Sequence, residues 1–92
     1  MPIEARLDLH GLTQAEAHRA LAGFVAQSHG AGKRVVLIVT GKGSRDGTGV
    51  LKAAVPRWLD EPGLRDRVLA AAPAQPRDGG GGALYLLLRR AR

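Results

Sequence analysis

Apolar and charged side chains alternate at the start of the chain. Every second residue from Ile3 to Leu9 is apolar, and the residues between them are charged. This period of two predicts a half-buried strand. Thr13 and Glu16 then have the spacing of a capping box, in which each side chain accepts the backbone N–H of the other residue. The pattern therefore predicts a helix that starts after Thr13 and ends near Gly30.

The middle of the chain predicts a second strand and a second helix. Residues 35–39 form a continuous, mostly β-branched run of strand length, as expected for a parallel strand buried on both faces. A glycine-rich loop follows at 40–49, and helical spacing resumes from Val50 to Leu59, where Pro56 is expected to introduce a kink. Three segments complete the pattern: a weak, alanine-rich strand at Val68–Ala72, a loop at Pro73–Gly82 and an apolar strand at Ala83–Leu88.

The order of these elements, β-α-β-α-β-β, predicts an α+β fold in two layers. Parallel crossovers are right-handed in nearly all proteins, so two that progress in the same direction place both helices on one face of the sheet. The last strand must run antiparallel to the others, and its apolar residues 84–88 favour a position between strands two and three. We therefore expect a four-stranded mixed sheet with the order 1-2-4-3.

Composition indicates one small basic domain. At 92 residues the chain has the length of a single folding unit. Fourteen Lys and Arg against eight Asp and Glu give a net charge of +6, and eleven of these cations are arginine. The planar guanidinium fits phosphate oxygens, so a polyanionic partner is predicted. A solvated basic surface that maintains solubility is the alternative.

Several classes of protein are disfavoured by the same composition. The chain has no cysteine, which excludes disulfide scaffolds, thiol nucleophiles and thiolate metal sites. It also lacks an apolar run of the roughly 18 residues that a membrane span needs, and its first residues do not resemble a secretory signal. We therefore expect a cytoplasmic protein without a membrane partner, as a monomer or weak dimer.

Candidate chemistry gathers at one predicted edge of the sheet. Asp8 and His10 are two residues apart near the carboxyl end of the first strand, so they share a face. The loop from Thr40 to Gly49 leaves the carboxyl end of the second strand, its predicted parallel neighbour. Because open sheets bind ligands outside the carboxyl ends of their parallel strands, an anion site is expected there.

Cations in the loops are the candidate phosphate ligands. The antiparallel last strand is expected to bring the loop that carries Arg77 to the same edge, so Lys42, Arg45 and Arg77 are predicted to contact phosphate. Arg89 and Arg90 fall at the opposite end and are expected to be solvated charges. The glycine loop matches neither a Walker A motif nor a dinucleotide-binding fingerprint.

Three segments, in this order, resemble the small MutS-related (Smr) domain: L-D-L-H-G-L-T at 7–13, T-G-K-G at 40–43 and G-A-L-Y-L-L-L-R at 82–89. The likeness extends over residues 5–90, which are expected to form the domain. It implies a two-layer fold like that of the C-terminal domain of a translation initiation factor. It also implies endonuclease activity, either nicking DNA or cutting messenger RNA on stalled or collided ribosomes, so the ribosome is a second expected partner.

The resemblance assigns residues to the family's motifs. The Asp-Leu-His motif maps onto residues 8–10, and the Gly-x-Gly motif onto Gly41, Lys42 and Gly43. With a histidine at position 10, the chain resembles the stand-alone bacterial type of the family, whose members often carry an N-terminal extension. Whether the chain is one domain of a longer protein stays open.

The predicted catalytic residues are Asp8, His10 and Lys42. Imidazole exchanges protons near neutral pH, so His10 is expected to act as general acid or base. Asp8 is expected to orient His10, to hold the turn at Gly11, or to bind water or a metal. Lys42 would stabilise charge on the phosphorane together with the amides of the loop. The predicted nucleic-acid ligands are Thr40, Gly41, Lys42, Gly43, Arg45 and Arg77.

The substrate determines the expected cofactor. RNA supplies its own nucleophile, the 2′-hydroxyl, and needs no metal, whereas DNA needs an activated water, for which Mg²⁺ or Mn²⁺ is the usual device. Only Asp8, His10 and Asp46 are near enough to serve as ligands, so no tight metal site is predicted. RNA is the mildly favoured substrate. The alternatives are a non-catalytic module that binds nucleic acid or the ribosome, and a pocket for a small anion or nucleotide.

Overall fold

The computed structural model describes residues 2–41 and 48–90, which include a four-stranded mixed sheet. The strands are β1 (Ala5–Asp8), β2 (Val35–Val39), β3 (Val68–Pro73) and β4 (Ala83–Leu88). Their order along the sheet is β1-β2-β4-β3. β1 and β2 are parallel, and β4 runs antiparallel to both of its neighbours. The predicted strand order and α+β class are therefore confirmed.

Helices connect these strands. They are α1 (Gln14–Gly30), α2 (Thr48–Leu59) and the one-turn α3 (Pro62–Arg65), with two 3₁₀ turns at Pro76–Asp78 and Gly80–Gly82. The sequence pattern predicts neither α3 nor the 3₁₀ turns. Pro62 begins α3 because its fixed φ suits the first position of a helix. Within the described residues, no helix is long and apolar enough to span a membrane.

The start of α1 has the predicted capping box. The Thr13 hydroxyl accepts the N–H of Glu16 at 3.2 Å, and the Glu16 carboxylate accepts the N–H of Thr13 at 2.9 Å. Hydrogen bonding to the Glu16 carboxylate, first by the backbone N–H of Thr13 and then by the Thr13 side chain, holds the pKa of Glu16 below its ordinary value. The cap fixes where α1 begins, directly after the turn that ends β1.

Both long helices pack on one face of the sheet. Leu21 of α1 and Val55 of α2 belong to the same buried cluster as Val36, Ile38 and Leu86 of the sheet. The opposite face, called the outer face below, carries a smaller cluster. Leu37, Ala74 and Ala83 are its buried members, and Ile3, Val39 and Tyr85 pack against them.

The position of Ile3 differs from the prediction. The alternating pattern places Ile3 on the same side as Ala5, but Ile3 packs on the outer face, whereas Ala5 packs against the helix-covered cluster. The reason is that β1 begins only at Ala5, so the strand alternation does not extend back to Ile3. Ile3 instead fills a place beside Tyr85.

Candidate functional site

The carboxyl ends of β1 and β2 lie side by side. Asp8 is opposite Val39 in the parallel pairing, and the N–H of Leu9 donates to the carbonyl of Val39 at 2.7 Å. The chain therefore leaves both strands at the same end of the sheet. We call this end, residues 8–11 and 39–41, the carboxyl edge.

Asp8 holds the turn at the end of β1. Its carboxylate accepts the backbone N–H of His10 at 2.8 Å. Leu9 between them is fully buried, whereas Asp8 and His10 are exposed. Gly11 follows with φ +86°, a conformation that glycine adopts without strain. Because this hydrogen bond goes to the backbone of His10, Asp8 fixes the turn that carries the imidazole.

The base of the glycine loop is fastened to the start of β4. The carbonyl of Gly82 accepts the N–H groups of Thr40 at 2.8 Å and Gly41 at 3.1 Å. The hydroxyl of Thr40, a residue only 3% exposed, also donates to Gly82 at 3.3 Å. Gly41 has φ +88°, which turns the chain out of the sheet. The Gly41 amide, which the sequence suggests as a phosphate ligand, is thus engaged within the protein.

The remaining predicted ligands of this loop are not among the described residues. Lys42, Gly43 and Arg45 fall in the segment 42–47, outside the described residues. Their contacts with phosphate remain predictions. The structure brings together Asp8, His10, Thr40 and Gly41.

The structure does not place Arg77 at the carboxyl edge. Arg77 lines a groove on the outer face together with Pro2, Val35 and Leu87. Val35 begins β2, so this groove lies towards the opposite end of the sheet. The Arg77 side chain is 79% exposed, and its Nε lies 3.7 Å from a carboxylate oxygen of Asp78.

The contacts of Tyr85 explain why Arg77 lies away from the carboxyl edge. The Tyr85 hydroxyl donates to the Asp78 carboxylate at 2.5 Å and accepts the N–H of Gln75 at 3.1 Å. Both bonds fold the first part of the β3–β4 loop back over the outer face. The sequence prediction treats this loop as extending straight from the ends of the strands. It misses the contacts of Tyr85 because the spacing of neighbouring residues in the sequence does not reveal them.

The described part of the chain has few groups for a metal ion. Within residues 2–41 and 48–90, no three His, Asp or Glu side chains are grouped as metal ligands. Asp8 and His10 supply one carboxylate and one imidazole, and Asp46 lies outside the described residues. A divalent ion at the carboxyl edge would therefore need substrate oxygens or water to complete its coordination.

One cation near this edge was not among the predicted ligands. Lys52 of α2 lines a pocket with Thr40 and Gly81. The available sequence signal is its position in the second turn of the helix that follows the glycine loop. That signal is weak because many exposed helix positions carry lysine.

Comparison with known proteins identifies the family of the chain. Residues 7–89 match the family model of the Smr domain. The chain is 36% identical over 91 residues to "Probable DNA endonuclease SmrA" of Escherichia coli (strain K12), an alignment that covers 97% of this chain and 47% of the relative. It is 37% identical over 85 residues to "Ribosome rescue factor SmrB" of Haemophilus influenzae, covering 92% and 46%. The chain thus spans about half the length of these curated relatives.

Two crystal structures share the fold. YdaL, a stand-alone small MutS-related protein from Escherichia coli, superposes with a TM-score of 0.83 at 36% identity, covering 97% of this chain and 67% of YdaL. The Smr domain of Thermus thermophilus MutS2 gives a TM-score of 0.76 at 32% identity, covering 92% and 98%. The family match and these two structures show that the chain belongs to the Smr domain family.

Proposed function

We propose that the domain binds a nucleic-acid strand at the carboxyl edge and cleaves its phosphodiester backbone there. The observation that carries the proposal is the pairing of Asp8 with Val39, because the turn with the exposed His10 and the base of the glycine loop at Gly41 both follow this pair at the same end of the sheet. A side chain capable of proton transfer and a loop predicted to bind phosphate thereby share one edge. The net charge of +6 supports a polyanionic substrate.

The chemistry of RNA cleavage needs little beyond this arrangement. The 2′-oxygen attacks the adjacent phosphorus, its proton leaves, and the bond to the 5′-oxygen breaks, which leaves a 2′,3′-cyclic phosphate and a free 5′-hydroxyl. His10 accepts the proton of the 2′-hydroxyl or protonates the departing 5′-oxygen. Asp8 acts through the backbone of His10 and so positions the imidazole. Lys42 is proposed to stabilise the charge on phosphorus oxygens.

DNA is a second proposed substrate, because one of the relatives is named "Probable DNA endonuclease SmrA". DNA lacks the 2′-hydroxyl, so water must be the nucleophile and a divalent ion such as Mg²⁺ or Mn²⁺ would activate it. Asp8 and His10 are the described residues that could contact such an ion. The two substrates therefore differ in metal dependence.

Purified protein should be incubated with a labelled RNA oligonucleotide and its 2′-deoxy counterpart, each with and without a chelator. We expect the RNA to be cleaved in the presence of chelator, and His10→Ala to lower the rate by about 10²- to 10⁴-fold. His29→Ala is the matched control, since His29 lies in the last turn of α1, far from the carboxyl edge. Metal-dependent cleavage of both substrates would overturn the 2′-hydroxyl mechanism, and full activity of His10→Ala would overturn the assignment of His10.

The second candidate function is binding without cleavage. It is favoured by two relatives that are named ribosome rescue factors, SmrB of Haemophilus influenzae and of Haemophilus ducreyi. A binding module of this kind would retain RNA and not cut it, and Asp8→Ala with His10→Ala would leave its affinity unchanged. A nuclease would lose cleavage in these variants and keep most of its affinity.

A further inference from the structure

A pocket of about 300 Å³ opens between α2 and the β3–β4 loop, next to the base of the glycine loop. Thr40, Lys52, Gly80 and Gly81 line its polar side. Pro56 and Leu84 contribute apolar walls. The pocket therefore combines one cation with loop backbone, in a space large enough for a phosphate group.

Lys52 carries the charge of this pocket. Its side chain is exposed, and among residues 2–41 and 48–90 it has no ion-pair partner. A β-carbon at Gly81 would lie 3.7 Å from Lys52 Nζ. The ammonium group therefore lies over the backbone of the glycine turn, and no carboxylate within residues 2–41 and 48–90 forms an ion pair with it. A lysine ammonium is a compact charge well suited to binding a phosphate oxygen.

Side chains are absent from the turn beneath the ammonium. The N–H of Gly80 donates to the carbonyl of Gln75 at 3.0 Å. Gly80 and Gly81 carry no side chain, so a phosphate can approach the turn more closely than it could with any other residue there. An anion in the pocket can therefore contact the Lys52 ammonium and the turn together. The pocket differs in this respect from the outer-face groove, where the guanidinium of Arg77 lies near the carboxylate of Asp78.

Backbone hydrogen bonds connect the pocket to the carboxyl edge. Gly82, which follows the turn directly, accepts the N–H groups of Thr40 and Gly41. Along the sheet, Asp8 is opposite Val39 and Val39 is opposite Ala83, so two strand spacings of about 4.8 Å separate Asp8 from the pocket side. A separation of roughly 10 Å is too long for one phosphate group to bridge, so a strand that spans it would meet Lys52 with a second phosphate.

We propose that Lys52 and the Gly80–Gly81 turn bind a second phosphate of the substrate strand, a few nucleotides from the phosphate at His10. The inference rests on the proposed nucleic-acid function and adds a binding site to it. Lys52 holds the strand across the carboxyl edge and takes no part in bond breaking. Its loss weakens binding of the whole strand and leaves the chemical step at His10 in place.

The first test measures binding of a fluorescent single-stranded RNA by anisotropy over a range of salt concentrations. The His10→Ala protein serves as the common background, so that the probe stays intact. Lys52→Gln should weaken binding about 5- to 20-fold at low salt. It should also reduce the slope of log K against log salt by about 0.7, the contribution of one phosphate contact in single strands. Lys33→Gln is the matched control, because it removes the same charge at the amino end of β2.

A second pair of variants tests the pocket without altering Lys52. Gly81 does not share the positive φ of Gly79 and Gly80, and among the described residues a β-carbon there meets only the Lys52 ammonium. Gly81→Ala should therefore fold normally and weaken RNA binding less than Lys52→Gln, because it adds a methyl group beside the ammonium but removes no charge. Gly81→Asp should weaken binding about as much as Lys52→Gln, because its carboxylate pairs with the ammonium and repels phosphate.

The outcomes separate this inference from the proposed function. Equal affinity and equal salt slope for Lys52→Gln and Lys33→Gln, or full binding by Gly81→Asp, would overturn the second phosphate site while leaving cleavage at His10 intact. A parent protein that binds neither RNA nor DNA would overturn both. Circular dichroism of each variant identifies any that fails to fold, and the other pair then decides the question.

Discussion

Glu4 and Asp8 lie at the two ends of β1, and each carboxylate accepts hydrogen bonds from backbone N–H groups. Glu4 accepts from Arg34 at 2.7 Å and from Val35 at 3.1 Å, residues 30 and 31 positions away. Asp8 accepts from His10 at 2.8 Å, two positions away. The same chemical group thus joins distant segments at one end of the strand and shapes a local turn at the other.

The difference separates a structural end of the sheet from the end that we propose to be functional. At the amino end, the bonds of Glu4 fasten the start of β2 beside β1, and they hold the pKa of Glu4 below its ordinary value, with the N–H of Arg34 as the larger cause. At the carboxyl edge, the bond of Asp8 sets the direction in which the chain leaves the strand and keeps His10 at the surface. Substitutions at the two ends should therefore have different consequences.

The largest expected effect is on cleavage. Asp8→Ala removes the acceptor for the His10 N–H and should lower the cleavage rate about 10- to 100-fold, because a misplaced catalytic group costs that much. Glu4→Ala should leave the rate per folded molecule unchanged. Both variants are compared with the parent protein in initial-rate assays on the same RNA.

Asp8→Asn sharpens this comparison. Its amide oxygen still accepts the N–H of His10, so we expect it to retain most of the cleavage activity. An asparagine variant that folds normally and is as inactive as Asp8→Ala would show that the negative charge matters and would contradict a role limited to positioning.

The second effect is on stability at the functional end. Thr40→Val keeps the volume of the buried side chain but removes the hydroxyl that donates to Gly82. The free energy of unfolding should fall by about 1 kcal/mol, the typical net value of one hydrogen bond. Urea denaturation measures the change, and Thr40→Ser, which keeps the hydroxyl, is the control. Equal stability of Thr40→Val and the parent would show that the two backbone bonds suffice.

The smallest effect depends on pH and arises at the structural end. Because folding lowers the pKa of Glu4, its carboxylate stabilises the native state above its ordinary pKa of 4.5, and this contribution is lost as the pH falls through the lowered value. Glu4→Gln should therefore be less stable than the parent near neutral pH and equally stable in strong acid. Urea titrations at both pH values measure it, and a difference that persists in acid would contradict the assignment.

Features set by neighbouring residues follow from the sequence. The capping box needs only the spacing of Thr13 and Glu16, and the structure has it. The strand order follows from the handedness of crossovers and from the apolar character of β4, and it is also confirmed. In the candidate site, the neighbouring ends of β1 and β2 follow from the same rule, so the segments that carry His10 and Gly41 leave the sheet at the same end.

Features that depend on distant contacts do not follow from the pattern. Arg77 lies on the outer face because Tyr85 binds Asp78 and Gln75. The Gly41 N–H donates to the carbonyl of Gly82, the residue that directly precedes the neighbouring strand β4. Each contact joins segments whose relative positions are fixed only when the whole domain has folded.

The central position of β4 also affects how the domain can form during synthesis. β4 follows every other strand in the chain, yet it lies between β2 and β3 and is the partner of both. While Ala83–Leu88 is still inside the exit tunnel of the ribosome, β2 and β3 each have an edge that lacks its partner strand β4. β1 can pair with β2 earlier, but the complete sheet forms only after this segment has left the exit tunnel, and until then the unpaired edges of β2 and β3 are open to aggregation.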